Sequence, residues 1–449
     1  MASRADNLAS NLSLANFSKA TELKKRIWFT IGALIVFRFL SFVPLPGIDP
    51  LALKAFMERS SGGILDFFNM FSGGALANYS LISLGVMPYI TASIVVQLAA
   101  SLHPSLASLK KEGESGRRKL NQYSRYGAVF LSVLQGYAAL RNADIQGFAI
   151  DPGPLFYAAG LISLVGGTMF LLWLGEQITS RGIGNGTSLI IMAGIVAGMP
   201  TFFSNMFTQY GTGAISGFTI AALIGMIVGL VLMICFMERA TRRLLIQYPK
   251  RASQNGMMQA DRSHLPLKIN TAGVIPPIFA SSLLLLPLTI SQFAGNSVSP
   301  DSTMGNVLVS INQYLGHGKP LYMLLYALGI IFFCFFYTAV VFNPEETADN
   351  LKRNGGFIPG IRPGKNTATY LDYVLTRITV IGAIYITIVC VLPEYVIAQT
   401  GIGSLFLGGT SLLIVVNVTV DTITQIQSHL LAHQYGDLIK KAKLKGRLR

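Results

Sequence analysis

The chain has 449 residues, of which 51% are hydrophobic and only 12% are charged, and its formal net charge is +15. A soluble domain carries about 25% charged residues, so this composition excludes an ordinary soluble protein. The three cysteines, Cys235, Cys334 and Cys390, lie in apolar runs without metal-ligand spacing, and we interpret them as buried hydrophobic side chains.

Apolar segments recur along the chain at about the 20 residues that a helix needs to cross the hydrocarbon core. We predict ten spans, near 27–43, 79–102, 124–141, 155–174, 183–200, 216–237, 273–293, 321–342, 374–392 and 405–428. Glycines lower the hydrophobicity of the fifth span, and polar residues lower it at the end of the tenth. Such weak spans are tolerated where neighbouring helices, rather than lipid, cover them. Residues 1–26 are polar and mixed in charge, so a cleaved signal is not expected there.

Basic residues crowd into alternate gaps between the spans. Thirty of the 35 lysine and arginine residues fall in the segments that would share one side with the two termini. Cytoplasmic loops carry the Lys/Arg excess in membrane proteins, so both termini are predicted to be cytoplasmic.

Three of these cytoplasmic segments, 103–125, 237–270 and 343–373, exceed ordinary connections of about 2–8 residues. Residues 345–353 can form one charged helix, and the IRPG sequence at 361–364 is typical of a tight turn that projects its arginine. Positive charge alone could serve topology and contact with anionic lipid. The length and local structure favour docking of a large acidic partner. No segment has the spacing of a nucleotide site or of a catalytic nucleophile with its base, so an enzyme is not expected.

The gap between the first two spans contains the sequence GGILDFFNMFSGGAL, residues 62–76. Its apolar part, 64–71, is too short to cross a membrane and has glycine-containing joints on both sides. These residues alone leave two alternatives, an amphipathic turn on the interface or a small re-entrant stopper.

Two predicted spans, 79–102 and 273–293, contain prolines that should break them, together with polar serine and glutamine residues. Such helices suit an interface that opens, although polar contacts between helices are a common alternative. Arg38 is nearly alone as an ionisable residue inside a span. A secondary transporter of small solutes usually needs such residues at the midplane, so it is the less favoured alternative function.

Nine strings occur in an order that resembles the SecY family, the main subunits of bacterial protein-conducting channels, with Sec61-alpha as relatives. They are VPLPGID (43–49), FNMFSGGAL (68–76), MPYITASI (87–94), KKEGESGRRK (110–119), WLGEQITSRGIGNG (173–186), HLPLKIN (264–270), FNPEETADNL (342–351), GIRPG (360–364) and GGTSLLIVV (408–416). The resemblance implies an all-α membrane protein with ten transmembrane helices in two five-helix halves around a central pore. The halves would be 27–200 and 201–428, followed by a basic cytoplasmic tail, 429–449.

The resemblance also assigns site residues. The pore ring would consist of Val86, Ile90, Thr187, Ile191, Ile278 and Ile414, where Thr187 departs from the usual aliphatic residue. A short re-entrant plug helix would comprise Ile64, Leu65, Asp66, Phe67, Phe68, Asn69, Met70 and Phe71. The lateral gate, between the second and third and the seventh and eighth spans, would include Pro88, Gln97, Asn270, Pro276 and Ser281. Docking of the ribosome or of SecA would use Arg242, Arg243, Lys250, Arg251 and Arg362.

The implied function is to pass unfolded secretory polypeptides across the membrane and to release hydrophobic segments laterally into it. The implied partners are SecE and SecG, the SecA motor, the ribosome through its RNA, signal sequences, nascent polypeptides and membrane lipid. No cofactor is expected. The implied location is the bacterial inner membrane.

Overall fold

The computed structural model describes residues 21–53, 72–213, 215–248, 252–253, 256–257, 262–284, 319–400 and 408–446. Most of these residues are helical. The helices are α1 (Thr21–Leu40), α2 (Met87–Leu102), α3 (Pro104–Lys111), α4 (Glu114–Ile145), α5 (Pro154–Arg181), α6 (Gly186–Gly211), α7 (Gly217–Arg239), α8 (Ile275–Leu284), α9 (Pro320–Val341), α10 (Pro344–Arg353), α11 (Lys365–Thr400) and α12 (Gly409–Gly446). The strands are β1 (Thr241–Gln247), β2 (Ala252–Ser253), β3 (Gly256–Met257) and β4 (Arg262–Lys268).

Six of the described helices, α5, α6, α7, α9, α11 and α12, are long and apolar enough to cross a membrane, whereas α2 and α8 are shorter apolar helices. Large apolar side chains point outward from them, as with Leu155 (82% exposed) and Phe218 (84% exposed). Exposing so many large apolar side chains to water would be unfavourable, whereas contact with lipid is not, so these outer surfaces are suited to the membrane interior. The prediction of a mainly helical membrane protein is confirmed, and each of the ten predicted spans overlaps a described helix.

The prolines of the two predicted broken spans begin helices instead of breaking them. Pro88 lies in the first turn of α2, and Pro276 and Pro277 lie in the first turn of α8. The first turn of a helix has no intrahelical partner for its N–H groups, so proline loses nothing there. The second predicted span is therefore wrong in its first part, because residues 79–86 form turns and the helix starts at Met87.

The contacts divide the chain into two compact units, which we call the first unit (Met1–Gly211 and Ile414–Arg449) and the second unit (Thr212–Leu413). In the first unit, an apolar cluster joins the turns that follow α1 and precede α2 to helices α4 and α5. Its nearly fully buried members include Leu45, Tyr79, Leu140 and Phe148. Backbone bridges join Pro44 to Ser80 and Ile48 to Ala149. The division into halves at 27–200 and 201–428 stays a prediction.

The second unit contains a structured cap that the sequence did not predict. Strand β1 pairs antiparallel with β4, from Thr241 opposite Lys268 to Gln247 opposite Arg262. Gln247 and Phe357 exchange two backbone hydrogen bonds of 2.9 and 3.0 Å, which join this hairpin to the segment after α10. Apolar side chains of both segments pack against α11 in one cluster, Leu244, Leu267, Ile358, Leu371, Val374, Leu375 and Ile378.

Candidate functional site

The helices α2 and α8 begin with the same sequence pattern in the two units. Residues 85–93 read GVMPYITAS and residues 273–281 read GVIPPIFAS, so six of nine positions are identical. In each copy the glycine has a positive φ, 59° at Gly85 and 65° at Gly273, which favours a residue without a Cβ. The predicted ring residues Ile90 and Ile278 therefore occupy the same position, one turn into their helices.

Each of these short helices packs closely on the long helix that follows it. A Cβ placed at Gly127 of α4 would lie 3.1 Å from Ala92 Cβ, and one placed at Gly329 of α9 would lie 3.2 Å from Ala280 Cβ. Ala92 and Ala280 are again equivalent positions of the repeated pattern. Small residues on both helices allow this close approach, which positions the second predicted span against the third and the seventh against the eighth.

In the first unit, the structure places four predicted ring residues as two helical-turn pairs. The Ile90 N–H donates to Val86 O at 3.1 Å where α2 begins, and Thr187 and Ile191 lie four residues apart where α6 begins. Thr187 lies against α5, because a Cβ at Gly175 would be 3.3 Å from its hydroxyl oxygen.

The fifth ring residue of this unit, Ile414, is 2% exposed on α12. The Thr419 hydroxyl of that helix donates to Met192 Sδ at 3.6 Å, so α12 contacts α6 one residue after Ile191. Ile278 belongs to the second unit. Closure of all six residues into one ring stays a prediction.

The glycine turn between α5 and α6, residues 182–185, is held by side chains from distant parts of the chain. Thr30 Oγ1 accepts from the Ile183 N–H at 3.1 Å, and Gln425 Oε1 accepts from the Gly184 N–H at 2.9 Å. Ile183, Leu23 and Leu430 are buried together beside it. Gln425, at the polar end of the last predicted span, thus satisfies one backbone donor of the turn before α6, and Thr30 of α1 satisfies another.

The Arg38 side chain binds the backbone of the turn at residues 72–74. Its Nη1 donates to Gly73 O at 2.6 Å, and its guanidinium lies 4.6 Å from the centre of the Phe42 ring. A Cβ at Gly73 would lie 2.8 Å from Gly194 Cα of α6, so the backbone of residue 73 packs directly on that helix. The predicted glycine-containing joint at 72–74 is buried at Ser72 and held by this contact.

The predicted gate residues occupy the two short helices and the turn before α8. Gln97, half-buried on α2, donates to Ser93 Oγ at 3.2 Å. Ser281, which is 1% exposed, donates to Ile278 O at 3.0 Å. Asn270 Nδ2 donates to Glu238 Oε1 at 2.5 Å and to Gly273 O at 3.2 Å, so its amide is engaged within the second unit.

Exposed arginines project from the cap of the second unit. Arg242 and Arg243 lie on β1, next to the buried Leu244, and Arg362 is exposed on the turn before α11. The Thr367 hydroxyl donates to Arg362 O at 3.0 Å, which fixes the backbone of this turn. Lys250 and Arg251 lie outside the described residues, as do all eight predicted plug residues, 64–71.

The comparisons with known proteins agree over most of the chain. The SecY family profile matches residues 80–423. Proteins named "Protein translocase subunit SecY" are 51% identical over 429 residues in Escherichia coli, covering 95% of this chain and 96% of that protein, and 52% identical over 440 residues in Rickettsia felis, covering 96% and 99%. The chain belongs to the SecY family.

Solved structures support the fold of this SecY-family chain. A protein-conducting channel superposes with a TM-score of 0.66 at 16% identity, covering 91% of this chain and 92% of that one. Sec61 from a canine ribosome–channel complex gives a TM-score of 0.62 at 16% identity, with the same coverage. The secondary-transporter alternative receives no support from these comparisons.

Sequence reasoning about the SecY-family chain missed Glu238, the hairpin β1–β4 and the repeated pattern. The repeat could have been found by aligning residues 85–93 with 273–281. Glu238 ends an apolar helix beside Arg239 and gives no sequence signal of burial, because its partner Asn270 lies 32 residues away. Among the residues described, no group of three or more His, Cys, Asp or Glu side chains could hold a metal ion.

Proposed function

We propose that this chain forms the protein-conducting channel of a bacterial Sec translocase. It would pass unfolded secretory polypeptides across the membrane and release hydrophobic segments sideways into lipid. The observation that carries the proposal is 51% identity to a named translocase subunit across 95% of this chain. The channel itself would perform no catalytic chemistry.

The seal is the first part of the proposed mechanism. A polypeptide crossing lipid would leave its backbone amides without hydrogen-bond partners, which costs several kcal/mol of free energy per group. A water-filled pore removes this cost, and a narrow apolar ring keeps the pore dry when it is idle. We assign the ring to Val86, Ile90, Thr187, Ile191, Ile278 and Ile414, of which all but Thr187 are β-branched aliphatic residues.

The plug and the lateral gate complete the channel. Residues 64–71 would close the pore as a plug, consistent with a related solved structure, at 18% identity, described as showing that the SecY plug domain stabilises the closed state. A hydrophobic signal segment would leave the channel through a lateral gate. One side of this gate would be the pair α2 and α4, and the other side the pair α8 and α9. Pro88, Gln97, Asn270, Pro276 and Ser281 would line or position that gate.

The driving energy would come from partners that bind the cap. Exposed Arg242, Arg243 and Arg362 suit an acidic partner such as ribosomal RNA or an acidic face of the SecA motor. We assign Lys250 and Arg251 to the same surface from their sequence positions. SecE and SecG would be the companion subunits, and signal sequences and nascent chains the substrates.

The proposed location is the bacterial inner membrane, with both termini in the cytoplasm. The distribution of basic residues supports this orientation, because the segments with most of the lysines and arginines share one side in a ten-span topology. Two five-helix halves, 27–200 and 201–428, would then surround the pore.

Reconstituted transport tests the proposed function. Proteoliposomes containing this chain, SecE, SecG and SecA should take up a secretory preprotein with ATP, so that it becomes protected from external protease. Vesicles without this chain should give no protected preprotein. Accumulation of a small solute by the chain alone, with no preprotein uptake by the complete set, would contradict the proposal.

A further inference from the structure

A carboxylate is buried at the end of α7, where the membrane-spanning helix meets the cap. Glu238 is 6% exposed, and its Oε1 accepts a hydrogen bond from Asn270 Nδ2 at 2.5 Å. Asn270 is itself 4% exposed. Carboxylates are rarely buried without such a partner, since desolvation disfavours the charged form.

Asn270 connects this carboxylate to the start of α8. Its Oδ1 accepts from the Gly273 N–H at 3.0 Å and its Nδ2 donates to Gly273 O, so the side chain closes the turn of residues 270–273 in both directions. Helix α8 begins two residues after this turn and carries Ile278 in its first turn. The orientation of the Asn270 amide therefore influences where α8 begins.

The backbone around this turn is closely packed on the other sides. The Ile269 N–H donates to Ala240 O at 3.2 Å, and a Cβ at Gly382 of α11 would lie 2.9 Å from Ile269 O. These contacts fix the chain before the turn. The bond from Glu238 fixes the side chain that shapes the turn itself.

We propose that Glu238 is a positioning residue that holds Asn270 and, through it, the start of α8 in the arrangement of the substrate-free chain. A segment that moves α8 must first disrupt the Glu238–Asn270 bond. Glu238 would thereby set how hydrophobic a signal segment must be to enter the membrane sideways. This inference rests on the proposed channel function.

Transport of two preproteins tests the inference. They should differ only in the hydrophobicity of the signal segment, and the measured quantity is the rate for the weak signal divided by the rate for the strong one. Glu238→Ala should raise this ratio roughly tenfold, the size expected for loss of a hydrogen bond to a charged group. Glu238→Gln retains an acceptor oxygen and should lie closer to wild type. The proposal is overturned if Glu238→Ala leaves the ratio unchanged, or if Glu238→Gln departs as far as Glu238→Ala.

A swap of the two partners tests whether Glu238 acts through Asn270, and it applies even where Glu238→Ala fails to assemble. Asn270→Asp alone should raise the ratio, because two carboxylates would face each other in a buried site. Adding Glu238→Gln restores a donor opposite the new carboxylate and should return the ratio toward wild type. A double variant no closer to wild type than Asn270→Asp would overturn the proposal.

The control is Glu345→Gln, which removes an exposed carboxylate in the same unit and should leave the ratio unchanged. The two proposals fail differently. If wild-type vesicles transport neither preprotein, the channel function is wrong. If wild type transports both and the Glu238 variants match it, only the role of Glu238 is wrong.

Discussion

The starts of α2 and α8 share a sequence pattern but are held in different ways. Before α2, the turns are fixed by backbone bonds, including Leu81 N–H to Val43 O at 3.1 Å and Gly85 N–H to Ile82 O at 2.8 Å. Before α8, the turn is held by side chains: Asn270 bonds to Glu238 and Gly273, and the Thr271 hydroxyl lies 3.2 Å from the Thr338 hydroxyl of α9. Backbone bonds survive most substitutions, whereas a side-chain bond depends on two residues. The start of α2 therefore follows turns with many backbone bonds, whereas the start of α8 depends more on individual side chains.

The second unit also contains the exposed basic cap. Strand β4 runs directly into the turn of residues 270–273, so the hairpin bearing Arg242 and Arg243 is continuous with the start of α8. If a partner docks on the cap as proposed, its binding would be linked to α8 through this short stretch of chain.

The largest expected effect comes from wetting both equivalent ring positions. Ile90→Asp combined with Ile278→Asp should open a leak to small ions in resting bilayers, because two carboxylates would hydrate the proposed apolar constriction. Each single variant should leak less than the pair, and by similar amounts if the positions are equivalent. Leu325→Asn on α9 is the control and should not leak. Equal resting conductance of wild type and the double variant would remove both residues from the seal.

Charge reversal on the cap should be the next largest effect. Arg362→Glu turns attraction for an acidic partner into repulsion, so preprotein transport should fall at least tenfold while assembly with SecE is retained. Arg239→Glu, also exposed in the second unit, is a matched control for charge. Normal transport by Arg362→Glu at physiological salt would show that the cap does not dock the motor through this turn.

Loss of the Arg38 contact tests how firmly the first unit is set. Arg38→Met keeps an extended side chain but removes the donor to Gly73 O, a charge-assisted bond of about 1.5–3 kcal/mol. We expect a detectable resting leak and faster proteolysis near residue 73, with transport preserved. Arg26→Met, which removes a weaker contact of 3.3 Å to Gly182 O, is the control. Unchanged leak and proteolysis would show that backbone bonds alone hold this region.

The smallest effects come from the paired glycines. Gly85→Ala and Gly273→Ala each force a Cβ onto a positive-φ residue, at about 1–2 kcal/mol. Thermal stability should fall in both variants. Asn270→Ala should add to Gly85→Ala independently, but not to Gly273→Ala, because only Gly273 shares bonds with Asn270. Full additivity in both pairs would contradict the side-chain control of the α8 start.

Much of the secondary structure was predictable, because the residues within a segment indicate whether that segment forms a helix. Apolar runs predicted the spans, and the charged run 345–353 predicted α10. The structure adds its cap, Asn343, whose Oδ1 accepts from the Glu345 N–H at 3.1 Å. Contacts between distant segments gave no such signal. The Arg38–Gly73, Gly184–Gln425 and Glu238–Asn270 bonds join residues 35, 241 and 32 positions apart, so no spacing rule identifies them. The assignments of ring, gate and docking residues came from family resemblance, and they stay predictions.

Cross-linking to a polypeptide in transit tests the central claim most directly. A photoreactive residue at position 90 or 278 should capture a preprotein halted midway, with similar yields from the two equivalent positions. The same residue at position 325 of α9 should capture little. Capture that is absent at both positions, while the halted preprotein remains protected from protease, would contradict a channel sealed by the matched starts of α2 and α8.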